Sequence, residues 1–329
     1  MAGLREVILC VISLRLKCRR EGRKILNKSP HRFMDLLKQG EMVFAPCVWD
    51  CYSAKAAELS GFKAVLLAGT PAAAALTGTP DLGLMSLDEL IFLTERVTTF
   101  STLPVLVDFD EGYGASPINV YRNVYRLVKA GCQGFTLDDG MGIRGWARLA
   151  VAQPGQHPYE LVSREQFAAK IRAALRAIEG TDAVLIARTE VRVNEGLDEA
   201  IYRMKMAEDL GAHMTMINKV RGIDEARYVA ETCKGWKMYP DIVSHNGKTD
   251  AELDELLKLN FNFVTMHFFE KASIAAMVQH GKINCAASNT VYSDQFDTGL
   301  TPEETEQIRG MNGEVWLNFE QRFYEEESH

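Results

Sequence analysis

No stretch of the body of this 329-residue chain is long and apolar enough to span a bilayer. The apolar run from Val7 to Leu14 is too short for that, is broken by Ser13, and leads into a basic cluster rather than a small-residue cleavage site. A glycine-rich phosphate fingerprint is missing as well, since Ala68-Gly69-Thr70-Pro71 has the wrong spacing for a doubly wound dinucleotide fold. No linker rich in Gly, Pro or Ser divides the sequence. The seven cysteines, Cys10, Cys18, Cys47, Cys51, Cys132, Cys233 and Cys285, are odd in number and scattered. Cys47 and Cys51 stand four apart with no second pair, which excludes a zinc ribbon and points to a reducing, cytoplasmic setting. They read as structural thiols, with a loop thiol near a site as the alternative.

Excess positive charge is also lacking. The net charge of −7 is spread along the chain and argues against nucleic acid as the main partner. The exception is residues 1–28, where Arg5, Arg15, Lys17, Arg19, Arg20, Arg23, Lys24 and Lys28 face only Glu6 and Glu21. Three readings compete for this extension: an accessory amphipathic helix, which we favour, a targeting segment, or upstream sequence of little function.

What is present is alternation. At 47% apolar residues the chain can bury a sizeable core. Short β-rich runs alternate with segments of helical period. The runs are Val43 to Pro46, Ala64 to Ala68, Val105 to Asp108, Gly134 to Leu137, Val184 to Arg188, Met214 to Asn218, Met238 to Val243 and Phe263 to Met266. Eight such repeats predict an α/β fold, a closed (β/α)8 TIM barrel over 29–329, with a C-terminal helical appendage from about residue 285. The connection from Asp139 to Val162 is long and weakly patterned, and reads as a lid.

The barrel rule gathers scattered residues at one rim, because chemistry sits where the C-terminal ends of the strands meet. Asp108 and Asp110, at i and i+2 on a strand end, leave on one face; the two like charges repel, hold water and suit a hard divalent cation. The plainer reading makes Asp110 a turn cap and Asp108 an acceptor for loop amides. Asp138 and Asp139 end the fourth strand, and Arg188 with Glu190 the fifth. His245 follows the seventh and His267 the eighth, where His267 could also be a core histidine. Taken together they form a cation site facing a carboxylate-binding guanidinium.

Several motifs then stand out: Trp49 to Gly69 (WDCYSAKAAELSGFKAVLLAG), Gly78 to Leu90 (GTPDLGLMSLDEL), Val107 to Gly114 (VDFDEGYG), Thr136 to Gly140 (TLDDG) and Leu185 to Glu190 (LIARTE). In these the chain resembles the isocitrate lyase and phosphoenolpyruvate mutase superfamily over nearly all of Ser29 to His280. Its pattern is nearest the oxaloacetate decarboxylase branch. The resemblance implies a barrel whose C-terminal helix swaps between subunits in a homotetramer, a dimer of helix-swapped dimers. It implies Mg2+, with Mn2+ as an alternative, and a small 2-oxo or 2-hydroxy carboxylate as substrate. By position Asp108 would be the main metal carboxylate. Asp110 and Asp138 would act through metal-bound waters, and Asp81 would orient those waters. Arg188 would hold the substrate carboxylate, helped by Gly69, Thr70, His267 and His245, and the catalytic set would be Arg188, His267 and Asp110.

Departures narrow the expected chemistry. Lyases of the superfamily that cleave isocitrate or methylisocitrate carry KKCGH in the mobile loop, but here the loop reads GMGIRGWARLAVAQPGQHPYE, without cysteine. Only Arg144 and Arg148 offer positive charge there. Asp138 stands where Glu is usual, and Glu111 where a small or polar residue is common. A decarboxylase needs only a proton for its enolate, so the expectation is metal-dependent decarboxylation or carbon–carbon cleavage of an oxaloacetate-like dicarboxylate through a metal-stabilised enolate. The rivals are phosphonopyruvate mutase or hydrolase chemistry and an inactive barrel paralogue.

Overall fold

The computed structural model describes residues 32–142, 153, 156–311 and 313–326. The basic extension and the loop arginines Arg144 and Arg148 lie outside the described residues. The strands are β1 (Val43–Val48), β2 (Val65–Leu67), β3 (Val105–Asp108), β4 (Gly134–Leu137), β5 (Val184–Thr189), β6 (Met214–Ile217) and β7 (Trp236–Tyr239). After a small antiparallel hairpin of β8 (Ser244–His245) and β9 (Lys248–Thr249) comes β10 (Phe261–Met266). Eight of these pair in parallel around a closed ring, with β10 lying between β7 and β1. The expected barrel is therefore present.

Its helices are α1 (Phe33–Lys38), α2 (Cys51–Leu59), α3 (Gly69–Thr77), α4 (Leu87–Phe100), α5 (Pro117–Lys129), α6 (Arg164–Ala177), α7 (Arg192–Glu195), α8 (Leu197–Asp209), α9 (Gly222–Thr232), α10 (Leu253–Lys258) and α11 (Phe269–Ala287). Beyond them come α12 (Val291–Gln295), α13 (Pro302–Gly310) and α14 (Gly313–Glu326). None is long and apolar enough to cross a membrane. Capping boxes at Asp50/Ser53, Ser86/Glu89 and Ser163/Gln166 start α2, α4 and α6, each satisfying helix-end amides that would otherwise lack acceptors.

The strands are buried on both faces, as parallel strands in such folds must be. In β5, Val184 and Ile186 join the barrel interior, while Leu185 and Ala187 pack outward under the helices. The interior is floored by α1, a helix the sequence pattern did not reveal. Phe33 is fully buried and meets Phe263 edge-on at 5.2 Å, and its N–H donates to Gln133 Oε1 at 2.9 Å. A second unforeseen helix, α3, follows β2. Several strand ends shift by a residue or two, and the largest change is at β7, which ends at Tyr239 instead of continuing to Val243, because Pro240 follows and cannot donate to a strand ladder.

At the other end of the chain α11 buries none of its residues and exposes Ile274, Met277 and Val278. Of the described cysteines, Cys47, Cys132 and Cys233 are buried, Cys51 is half-buried and Cys285 exposed, all as free thiols.

Candidate active site

The C-terminal rim opens into a cavity of about 350 Å³ whose lining includes Asp81, Asp108, Asp110, Glu111, Asp138, Arg188, Glu190 and His267. Parallel register explains the gathering. Asp108 pairs with Thr136 on β4, Thr136 with Ile186 on β5, and Arg188 stands two residues further along β5, on the same face. Thr136 Oγ1 donates to Asp108 Oδ1 at 2.8 Å, and Arg188 Nη1 donates to the same oxygen at 3.0 Å.

Beyond Asp108 the chain turns sharply. Asp110 (φ 51°), Gly112 (φ 91°) and Tyr113 (φ 55°) all adopt left-handed backbone, which costs stability at the two non-glycine positions. A side chain at Gly112 would also press on Leu137 and Val120, both at 3.0 Å. The strained turn leaves Asp110 only 2% exposed, and its carbonyl accepts from Asp138 N–H at 2.7 Å, tying the β3 and β4 loops together. Asp138 Oδ1 accepts from Gly140 N–H at 2.8 Å, and Lys170 Nζ, itself buried, donates to Asp138 O at 3.3 Å.

Arg188 is held from two sides. Nε donates to Glu190 Oε1 at 2.7 Å and Nη2 lies 2.5 Å from it, opposite the bond to Asp108. Glu190 is fixed in turn by Asn218 Nδ2, which reaches both carboxylate oxygens at 2.8 and 2.7 Å. The two acids at the β4 end divide their roles. Asp138 lines the cavity, whereas Asp139, fully buried, is engaged by Thr189 Oγ1 at 2.6 Å, Glu190 N–H at 2.9 Å and Arg203 Nη1 at 3.0 Å.

On the far side, His267 is 48% exposed in its side chain, not a core histidine, and its Nδ1 lies 3.3 Å from Asp241 Oδ1. Burial would lower its pKa, but bonding to Asp241 and Cys47 prevails and pushes it up to about 10. Thr70 Oγ1 donates to Asp81 Oδ2 at 2.8 Å. Gly69 and Thr70 form the first turn of α3, whose N-cap Ala68 offers no side-chain acceptor. That leaves backbone amides of the kind that bind anions. His245 sits on β8, its backbone paired with Lys248; its side chain is outside what is described.

Thr136, Asn218 and Asp241 were not singled out in the sequence. Their roles depend on which strand lies beside which, and nothing in their local pattern signals it. Leu161 and Gly140 form an antiparallel bridge, so the described ends of the long loop are zipped together at its base.

The site is strongly acidic, and burial raises the pKa of Glu111 and takes that of Asp138 up to about 7, the latter against the opposing pull of Arg188. Crowded, desolvated carboxylates are stabilised by a cation. Among the described residues no three His, Cys, Asp or Glu side chains close around a point as an all-protein cage would require. Mg2+ suits this arrangement, since it keeps several waters and needs only one or two carboxylates. The donor set around Asp108 fits that ion.

A (β/α)8 barrel with clustered acids and a buttressed guanidinium on its catalytic rim defines an enzyme class that handles small anionic substrates. The chain belongs to the phosphoenolpyruvate phosphomutase family, whose model matches residues 33–282, within the PEP mutase/isocitrate lyase superfamily. It is 31% identical over 291 residues to the petal death protein of Dianthus caryophyllus, covering 88% of this chain and 87% of that one. To an oxaloacetate decarboxylase of Pseudomonas entomophila it is 32% identical over 224 residues, covering 68% and 74%. The crystal structure of 2,3-dimethylmalate lyase is similar with a TM-score of 0.73 at 25% identity, over 88% of this chain and 96% of that one. The chain is an enzyme of this superfamily, and its relatives include lyases and decarboxylases.

Proposed function

We propose that the protein is a Mg2+-dependent decarboxylase or carbon–carbon lyase of a small 2-oxo or 2-hydroxy dicarboxylic acid resembling oxaloacetate. The observation that carries this reading is the 3.0 Å bond between Arg188 Nη1 and Asp108 Oδ1 inside an acid-lined cavity. It supports a reading in which Asp108 would seat a cation beside Arg188 as an anion clamp. The likeness to a named oxaloacetate decarboxylase supports the same chemistry.

Asp108 would hold the cation directly, with Asp110, Asp138 and Asp81 acting through waters, and Mn2+ could substitute. When bound, the divalent ion supplies charge stabilisation where negative charge develops at the 2-oxo oxygen. Arg188 would take the C1 carboxylate in a planar fork already aligned by Glu190, and the amides of Gly69 and Thr70 would complete that grip. His267, charged at neutral pH, would hold the distal carboxylate, with His245 as a further contact. A screen of 2-oxo and 2-hydroxy acids with Mg2+, read as CO2 or pyruvate release, tests the reading, and full activity in EDTA would remove the metal from it.

The match to a phosphomutase family model keeps carbon–phosphorus chemistry as the rival. Phosphorus NMR of enzyme with phosphonopyruvate separates the two, because only the rival changes the spectrum. Absence of both activities, with no calorimetric binding of Mg2+ or oxalate, would leave an inactive paralogue. The bare apolar face of α11 supports assembly into helix-swapped dimers and a tetramer, and the free thiols support a cytoplasmic setting.

A further inference from the structure

We propose that Tyr159 is the catalytic acid of this enzyme, delivering the proton that converts the enolate to product. The inference rests on the functional reading above and names the group that stands in for the absent loop cysteine.

Tyr159 lines the cavity and is 7% exposed, and its hydroxyl is buried without a hydrogen-bond partner among the described residues. A buried phenol almost always finds an acceptor, since leaving one unmet costs stability. Because Tyr159 lines the cavity, a bound substrate is the acceptor this reading assigns to its hydroxyl. The Tyr113 hydroxyl also lacks a partner, but Tyr113 does not line the cavity.

The position is fixed and not incidental. Tyr159 N–H donates to Asn194 Oδ1 at 3.2 Å, and Asn194 Nδ2 donates back to Tyr159 O at 2.7 Å. The residues that follow it are anchored too, with Met141 N–H on Glu160 O at 2.8 Å and Val162 N–H on Asp139 O at 2.9 Å. The ring is within electrostatic reach of Glu190, Arg188 and Asp138, the end of the cavity that binds the reacting acid, and burial keeps the phenol protonated through the neutral range.

The step balances as follows. The C3–C4 bond of the 2-oxo dicarboxylate breaks, CO2 leaves, and the electron pair stays in the C2–C3 enolate. The Tyr159 Oη proton then moves to C3, the C2 carbonyl re-forms, and the phenolate recovers a proton from solvent.

The test is decarboxylation of a 3-methyl-substituted 2-oxo dicarboxylate in D2O by wild type and Tyr159→Phe. Wild type is expected to place deuterium on one face of C3. The variant should release CO2 about 100-fold more slowly and give racemic product, as an enol ketonised in bulk solvent does. Its melting temperature should not fall, since the lost hydroxyl has no bond among the described residues, and this separates the chemistry from misfolding. Stereospecific deuteration by the folded variant would overturn the proposal and leave the decarboxylase reading intact. If wild type cleaves no such acid, that reading fails, and calorimetry with oxalate and Mg2+ decides Tyr159. Weakening of oxalate by about 10-fold in the variant supports a donor aimed at the ligand, whereas equal affinity, or no binding by wild type, overturns it.

Discussion

At the scale of the residue, Asp108 is the acid on which the proposed site turns, because it meets Thr136, Arg188 and the cavity at once. Asp108→Ala is expected to lower kcat/KM by at least ~100-fold, about 2.7 kcal/mol of transition-state stabilisation, and to abolish Mg2+ dependence in steady-state assays. Arg188→Lys keeps the charge but loses the planar fork shared between Asp108 and Glu190. KM should rise by ~10-fold or more, with the fold preserved by circular dichroism. His267 sets the pH response. Its pKa rises from 6.5 to about 10, so the charged ring contributes stability fully below pH 6.5 and loses it as pH climbs through about 10. The alkaline limb of kcat/KM for a dicarboxylate should therefore fall near pH 10 in wild type, and a pH–rate profile of His267→Gln should lack it. These three residues were legible because strand ends declare themselves in sequence. Asp241, which holds His267, was not, since it is brought there by β7 lying beside β10 and by the early end of β7 at Pro240.

At the scale of the element, the long loop between β4 and α6 depends on its stem. Arg203 from α8 donates to Asp139 Oδ2 at 3.0 Å and to Val162 O at 2.9 Å, joining the segment's first and last residues. Both side chains are nearly inaccessible, so Arg203→Leu would strand a buried carboxylate and should cost about 3–5 kcal/mol in urea unfolding. The resemblance singled out Asp138 for the site, but no local pattern in the sequence gave its neighbour Asp139 a role. The strand pleat sends one toward the cavity and the other toward α8, and the pairing of each became visible only with the helix in position. Helix α3 escaped notice for a related reason. Gly69-Thr70-Pro71 has turn chemistry, and Ala68 provides no capping side chain to announce a helix. The longer amphipathic helices leave a signal in the sequence, since their apolar faces repeat with helical period and several begin in capping boxes.

At the scale of the whole molecule, the count of strands and their closure followed from eight apolar runs of similar length, whereas the floor did not, because α1 has only six residues. The outer surface makes its own prediction. Ile274, Met277 and Val278 lie bare on α11, and Trp316, Leu317 and Phe323 on α14. Ile274→Glu combined with Met277→Glu should reduce the particle mass measured by light scattering, whereas an unchanged mass would remove α11 from any subunit contact. The floor itself has a kinetic consequence. With Phe33 wedged against Phe263 the vessel is corked at its base, so whatever enters must depart by the neck through which it came. Traffic is then single-file: a spent molecule still lodged inside bars the next arrival, and accumulating product should slow turnover by occupying the doorway rather than by altering the machinery within.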